Sequence, residues 1–203
     1  MTAQRRFVRR ALLAATASVA ALTLAACGSS GGDGKASSGT ATETATGSHN
    51  AADVSFSKEM IQHHRQAVEM AGLAAGHASS AQVKSLATKI KGAQDPEIKT
   101  MSGWLTSWGE QVPEDMSGMG HDMSSAAPGM MSDAHMGELE KMSGTEFDKM
   151  FLTMMVEHHE GAVAMAKTEK ADGEYDPATK LAANVITAQS AEIAQMNKML
   201  GKG

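Results

Sequence analysis

Hydrophobic residues recur at intervals of three and four along most of the chain, which is the spacing of one face of an α-helix. Four long segments carry this pattern, and Gly, Ser, Asp or Pro residues at their ends favour helix termini and turns. The predicted helices span about residues 53–76, 81–108, 145–170 and 177–200. Short turns join the first to the second and the third to the fourth, so the pattern predicts an all-α four-helix bundle made of two helical hairpins.

The second half of the pattern repeats the first. The segment from Phe56 reads FSKEMIQHHRQAVEMA, and the segment from Phe151, 95 residues later, reads FLTMMVEHHEGAVAMA. The same offset aligns LATKIKGAQDPEIKTM from Leu86 with LAANVITAQSAEIAQM from Leu181. The chain is therefore a tandem duplication, with repeat one at residues 53–108, a connecting segment at 109–143 and repeat two at 144–200.

A His-His pair lies at the same position in each repeat. On a helical wheel, His63 and His158 fall in the middle of the hydrophobic face, whereas His64 and His159 fall at its edge. Methionines lie on or beside the same face. Imidazole binds several transition metals, and the soft thioether favours Cu(I). The pattern predicts a copper site, for Cu(I) or Cu(II), at the four histidines together with Met60, Met70, Met155 and Met165.

The other helix of each repeat carries a glutamate in the middle of its hydrophobic stripe, Glu97 in one and Glu192 in the other. A buried carboxylate without a partner is costly. We therefore expect each glutamate to bind the metal or to hold the second nitrogen of a ligand histidine. A metal-free alternative pairs His63 and His158 with these glutamates as buried hydrogen-bonded pairs.

The connecting segment 109–143 lacks hydrophobic periodicity and contains seven of the 17 methionines. We interpret it as a long, mobile, Met-rich loop. Methionine is uncommon in ordinary disordered segments, and a thioether binds Cu(I) without losing a proton. The sequence therefore predicts a second set of copper ligands in this loop, at Met116, Met119, His121, Met123, Met130, Met131, His135 and Met136.

The first 26 residues have the pattern of an export signal, with four arginines before a short apolar run. The run ends in Leu-Ala-Ala-Cys27, which resembles the lipobox of bacterial lipoproteins, where Cys27 would be acylated and become the first residue. Residues 27–50 are rich in Gly, Ser and Thr and are interpreted as a flexible tether to the domain at 51–203. We expect an exported protein, held at the outer face of the cell membrane or in the periplasm by lipidated Cys27.

Charge and cysteine content limit the classes of partner. The chain has a formal net charge of −5 and becomes more acidic when the leader and its arginines are removed. An acidic chain without a basic cluster argues against nucleic-acid binding. Because Cys27 is the only cysteine, no disulfide forms within the chain. The expected partners are a metal ion, the membrane through the lipid anchor, and a copper-handling protein.

The repeated motif M-I/V-x-H-H-x-x-A-V-x-M, followed each time by Q-x-x-E-I-x-x-M, resembles the exported bacterial family known as domain of unknown function 305. The resemblance covers about Asp53 to Leu200 apart from the connecting segment. It implies a ferritin-like four-helix bundle, and since some members are described as periplasmic copper-binding proteins, it implies copper sequestration or transfer.

Two alternative functions remain open. One is a ferritin-like di-metal oxidase, for which the central carboxylates are few because Glu59 and Glu157 lie to the side. The other is a metal-free interaction bundle with buried His-Glu pairs. No nucleophile set, phosphate loop or nucleotide-binding motif indicates a different enzyme, and no catalytic residue is predicted.

Overall fold

The structure is a computed structural model that describes residues 47–115 and 127–202. These two ranges contain five α-helices and no β-strand. The helices are α1 (Ala51–His77), α2 (Ala81–Trp108), α3 (Asp133–Lys141), α4 (Gly144–Asp172) and α5 (Asp176–Met199). The four long helices end within two residues of the predicted positions, and the predicted all-α fold is confirmed.

The two repeats form two hairpins, as the duplication predicts. α1 packs against α2, α4 packs against α5, and α1 and α4 pack against each other between the repeats. Capping residues explain where the first hairpin begins and ends. The Asn50 side chain accepts hydrogen bonds from the backbone at Ala52 and Asp53, while Asp53 accepts from the Asn50 backbone, so α1 starts with a capping box. Gly109, with φ 75°, ends α2.

The hydrophobic core is divided into two clusters, and the histidines separate them. On α1, buried residues from Phe56 to Ile61 belong to one cluster and those from Ala67 to Ala74 to the other. On α4 the order is reversed, with Phe147 to Met155 in the second cluster and Ala162 to Ala166 in the first. In both helices the His-His pair therefore lies where one cluster ends and the other begins.

The connecting segment differs from its prediction, because part of it is helical. Residues 133–141 form α3, and Ser132 caps its start, because its side-chain oxygen accepts a hydrogen bond from the backbone at His135. Met136 and Leu139 of this helix are buried in the core. Two buried residues over nine are too few to give a recognisable helical periodicity, so the pattern missed α3.

α2 continues as an α-helix through Pro96. The leader, Cys27 and most of the tether lie outside the described residues. Among the helices of the described ranges, none has the length and hydropathy needed to cross a membrane.

Candidate metal centre

All four histidines of the repeated pairs are buried. His63, His64 and His159 have no exposed surface, and His158 is 1% exposed. His64 and His159, which the wheel places at the edge of the hydrophobic face, are thus as fully buried as His63 and His158. The centre contains all four imidazoles.

The inner histidines of the two repeats lie against each other. The ring centroids of His63 and His158 are 3.7 Å apart, and the ring planes are inclined by 40°. These residues hold equivalent positions in the duplication, one on α1 and the other on α4. Their contact follows from the packing of α1 against α4. The duplication thus brings the two copies of the motif into one centre.

Each glutamate pairs with the outer histidine of its own repeat. His64 Nε2 lies 2.8 Å from Glu97 Oε2, and His159 Nε2 lies 2.7 Å from Glu192 Oε2. The sequence-based pairing of these glutamates with His63 and His158 is therefore wrong. The glutamate side chains are 23% and 22% exposed, so they do not reach the centre of the core, where His63 and His158 lie. The glutamates lie at the rim of the core, where the outer histidines reach them.

The inner histidines have different partners. His63 Nε2 lies 3.0 Å from the backbone carbonyl oxygen of Pro128, in the connecting segment. His158, its equivalent in repeat two, has no hydrogen-bond partner of ordinary geometry at either ring nitrogen among the residues the structure describes.

Five imidazole nitrogens of this centre are therefore buried without a hydrogen-bond partner in the described part of the chain. They are Nδ1 of all four histidines and Nε2 of His158. Most buried polar groups in proteins are hydrogen-bonded, so such a concentration calls for an explanation. Metal-binding histidines characteristically donate one N–H to an outer oxygen and present the other nitrogen to the ion. His64 and His159 follow this arrangement.

The electrostatic environment keeps the inner imidazoles neutral. Burial lowers the pKa of His63 to about 3, and repulsion from His64 and His159 adds to this effect. Burial also lowers the pKa of His158 well below its ordinary value, followed by repulsion from His63, His159 and His64. A neutral imidazole has a free lone pair and can bind a metal ion without first losing a proton.

The predicted helix methionines lie in the core, on the two helices that carry these histidines. Met60, Met70 and Met155 have no exposed surface, and Met165 is 8% exposed. Met60 and Met155 precede the inner histidines by one helical turn on the same helix. Within the described ranges, no three His, Cys, Asp or Glu side chains converge as a ready-made ligand set. The donors that the centre offers are its buried imidazole nitrogens, with Met60 and Met155 one helical turn away along the chain.

The predicted ligands of the connecting segment have various environments. Met131 and Met136 are buried in the hydrophobic core, Met130 is half-buried, and His135 is exposed on α3. The first two are therefore not on a free loop, as the prediction placed them. The remaining four lie outside the described residues, namely Met116, Met119, His121 and Met123.

Two residues to which the sequence assigned no role are buried on α2 and α5, the helices that carry the glutamates. Gln94 on α2 and Gln189 on α5 are each 3% exposed, and the side-chain oxygen of each has no hydrogen-bond partner in the described ranges. The available signal was their recurrence at the 95-residue offset, three residues before Glu97 and Glu192. The duplicated Q-x-x-E motif thus contributes two buried amides as well as two carboxylates.

The fold and this centre define a protein of a recognisable class, a duplicated helical bundle with a histidine-rich core. Residues 53–200 match the family described as Domain of unknown function (DUF305), and the chain belongs to that family. The resemblance of the repeated motif is thereby confirmed. No curated protein sequence matches the chain.

Solved structures of the same fold include two other DUF305 proteins. One, from Streptomyces coelicolor, is 31% identical, with 74% of this chain and 93% of that chain covered and a TM-score of 0.67. The other, a fragment from Deinococcus radiodurans, is 28% identical, with 76% and 98% covered and a TM-score of 0.67. Both support the helical-bundle fold over nearly the whole of their own length.

A third similar structure is CopM in its Cu(II)-bound form. It is 35% identical, with 72% of this chain and 94% of that chain covered and a TM-score of 0.63. CopM has also been solved in Cu(I)-bound, Ag-bound and apo forms. CopM, which has the same fold, thus binds copper and silver ions.

Proposed function

We propose that this chain binds copper outside the cytoplasm through its buried histidine centre, and that it sequesters the ion or passes it to another protein. The observation that carries the proposal is the set of five buried imidazole nitrogens that lack hydrogen-bond partners among the described residues. Three of the four histidines also have an outer oxygen partner. Together these features match the arrangement expected of metal ligands.

A metal-free network accounts for these nitrogens less well. In the alternative function, the His-Glu pairs serve only to stabilise the bundle. Glu97 and Glu192 do satisfy one nitrogen each of His64 and His159. The remaining nitrogens stay buried, and leaving a buried polar group unsatisfied costs about 1–3 kcal/mol. A bound ion would remove that free-energy cost by coordinating several of these nitrogens at once.

The available donors favour copper over harder ions. Neutral imidazole with thioether is a soft set that suits Cu(I), whereas Mg²⁺ and Ca²⁺ require oxygen ligands. Met60 and Met155 place thioethers one turn from His63 and His158. The similarity to CopM, which has been solved with Cu(I) and Cu(II), supports the same choice of metal.

The di-metal oxidase alternative has less support from the centre. Such sites draw several carboxylates into the core of the bundle. Glu157 is exposed, and Glu59 is half-buried and accepts a hydrogen bond from Ser55. The carboxylates nearest the histidines are Glu97 and Glu192, and each already pairs with an imidazole. The ligands available to an ion in this core are therefore mainly imidazole and thioether groups, and carboxylates are few.

Export and anchoring form part of the same proposal. The leader pattern and the Leu-Ala-Ala-Cys27 sequence support a lipoprotein whose tether spaces the bundle from the membrane. The similar Streptomyces coelicolor protein is described as secreted. Copper bound at this location would be held before it reaches the cytoplasm. The net negative charge and the absence of a basic cluster in the sequence argue against a nucleic-acid partner.

The proposal is tested by competition for Cu(I) against a chromophoric chelator of known affinity. The test uses a parent variant in which Met116, Met119, His121 and Met123 are replaced by serine, so that the predicted loop ligands do not compete. This parent should remove copper from the chelator, and adding His63→Gln and His158→Gln should abolish that ability. His49→Gln is the matched control, since His49 is exposed and stacks on Trp108. Histidine substitutions that leave the parent's competition unchanged would show that the histidine centre does not bind copper.

A further inference from the structure

The connecting segment reaches the histidine centre through residues 127–131. The Pro128 carbonyl oxygen lies 3.0 Å from His63 Nε2 on α1. The same segment contacts α4, where Gly129, with φ 80°, lies against the backbone of Glu157 and His158. It therefore crosses from α4 to α1 at the place where His63 and His158 meet.

Two residues at equivalent positions of the repeats hold this segment. Gln66 of α1 accepts a hydrogen bond from the Met131 backbone N–H at 2.7 Å and donates one to the Met131 carbonyl at 2.9 Å. Its equivalent on α4, 95 residues later, is Gly161. A side chain at Gly161 would overlap the backbone carbonyl of Pro128. The duplication has diverged here: Gln66 in repeat one hydrogen-bonds the segment, and Gly161 in repeat two lets its backbone pack directly against α4.

The Pro128 carbonyl decides which nitrogen of His63 carries the proton. A histidine that binds a metal is neutral and has one N–H group. A carbonyl oxygen only accepts hydrogen bonds, so the N–H of His63 is at Nε2. The lone pair is then at Nδ1, which is buried and has no partner among the described residues. Glu97 and Glu192 place the N–H at Nε2 of His64 and His159 in the same way.

We infer that residues 127–131 orient His63 for metal binding, because the Pro128 carbonyl accepts a hydrogen bond from its Nε2–H. Gln66 and Gly161 are positioning residues that hold this carbonyl against His63. This inference rests on the proposed copper-binding function. The connecting segment thereby supplies to His63 what a glutamate supplies to each outer histidine. His158 has neither a glutamate nor the Pro128 carbonyl as a partner, so His63 and His158 are not equivalent ligands although the duplication places them equivalently.

The inference predicts two effects of releasing the segment. Gly161→Ala forces the Pro128 carbonyl away from α4, and Gln66→Ala removes both hydrogen bonds to Met131. In the metal-free protein, ring ¹⁵N shifts should change from a single Nε2–H tautomer of His63 to a mixture of tautomers. Cu(I) affinity, measured by chelator competition, should weaken by about 10- to 100-fold, which is typical for the loss of an outer hydrogen-bond partner.

Matched controls separate this role from general effects of substitution. Gly72→Ala makes the same change in α1, at a glycine with no atom near the added carbon. Gln82→Ala removes an exposed glutamine of α2. Both controls should keep the wild-type tautomer and affinity. If Gly161→Ala prevents folding, Gln66→Ala decides the result by the same two measurements.

Two results would overturn the inference. One is a His63 that keeps its Nε2–H tautomer in both test variants. The other is a changed tautomer with Cu(I) affinity equal to that of the controls. If instead the wild-type affinity is independent of His63 and His158, the proposed function fails, while the tautomer measurement still reports whether the segment orients His63. The two failures are thus distinguishable.

Discussion

Asp53 and Asp148 hold equivalent positions in the two repeats, and each carboxylate caps the interhelical turn of the opposite repeat. Asp53 accepts hydrogen bonds from the backbone N–H groups of Glu174 and Tyr175, at 3.2 and 3.0 Å. Asp148 accepts from two successive backbone N–H groups in the turn between α1 and α2, at 3.2 and 2.9 Å. These reciprocal caps tie the two hairpins together and so fix α1 against α4 at the histidine centre.

Removing one cap should destabilise the whole bundle. Asp148→Ala leaves backbone donors without their charged acceptor in a buried setting, since Asp148 is 8% exposed. We expect the free energy of unfolding to fall by about 2–4 kcal/mol. Urea unfolding followed by circular dichroism measures the change.

The matched control for this cap is Asp95→Ala. Asp95 forms an exposed ion pair with Lys91 within α2, and such pairs contribute about 0.3–0.5 kcal/mol. Equal destabilisation by the two substitutions would contradict the role assigned to the caps.

A second carboxyl near Asp53 makes stability depend on pH. Burial, the neighbouring Asp53 and the charge of Asp172 raise the pKa of Glu169 to about 8. The folded protein therefore binds this proton more tightly than the unfolded chain, whose glutamate has a pKa near 4.5. The stability contributed by protonated Glu169 is complete below pH 4.5 and is lost as the pH rises to about 8.

The variant Glu169→Gln should abolish this loss, since an amide does not ionise. Unfolding in urea at several pH values between 5 and 9 tests the expectation. Glu146→Gln, at an exposed position near the other end of α4, should retain the wild-type pH dependence. The interpretation is wrong if the wild type and Glu169→Gln lose stability in parallel over this range.

The outer glutamates should affect metal affinity without binding the ion. Glu97→Gln or Glu192→Gln removes the negative charge that makes the paired imidazole a stronger donor, and we expect Cu(I) affinity to weaken by about 10- to 100-fold. Glu138→Gln, on the exposed face of α3, should have no effect. Chelator competition provides the comparison. Affinities that match the control would mean that the His-Glu pairs serve the fold alone.

The predicted loop ligands can be tested separately from the bundle. Replacing Met116, Met119, His121 and Met123 by serine should lower the number of Cu(I) ions bound per chain but leave the histidine-dependent site intact. Deleting the whole segment 109–143 is a poorer test, because it also removes Pro128 and core residues of α3. The number of ions bound, measured by equilibrium dialysis and metal analysis, should be unchanged if these four residues are not ligands.

The sequence predicted the helices, the duplication and the family, because hydrophobic spacing and a repeated motif are local signals. It failed where contacts depend on how helices pack. A wheel gives the angle of Glu97 on its helix but not its depth, so it could not distinguish His64 from His63 as the partner. The Pro128–His63 contact joins residues 65 positions apart through a segment without periodicity. No helical pattern could have indicated that contact.

The most direct test of the account is X-ray absorption spectroscopy of copper bound to the variant that lacks Met116, Met119, His121 and Met123. This variant retains the histidine centre and loses the predicted loop ligands. Loaded with one equivalent of Cu(I), it should show imidazole scattering together with sulfur at the distance of a thioether ligand. A copper environment without imidazole would contradict the claim that the buried histidines bind the metal.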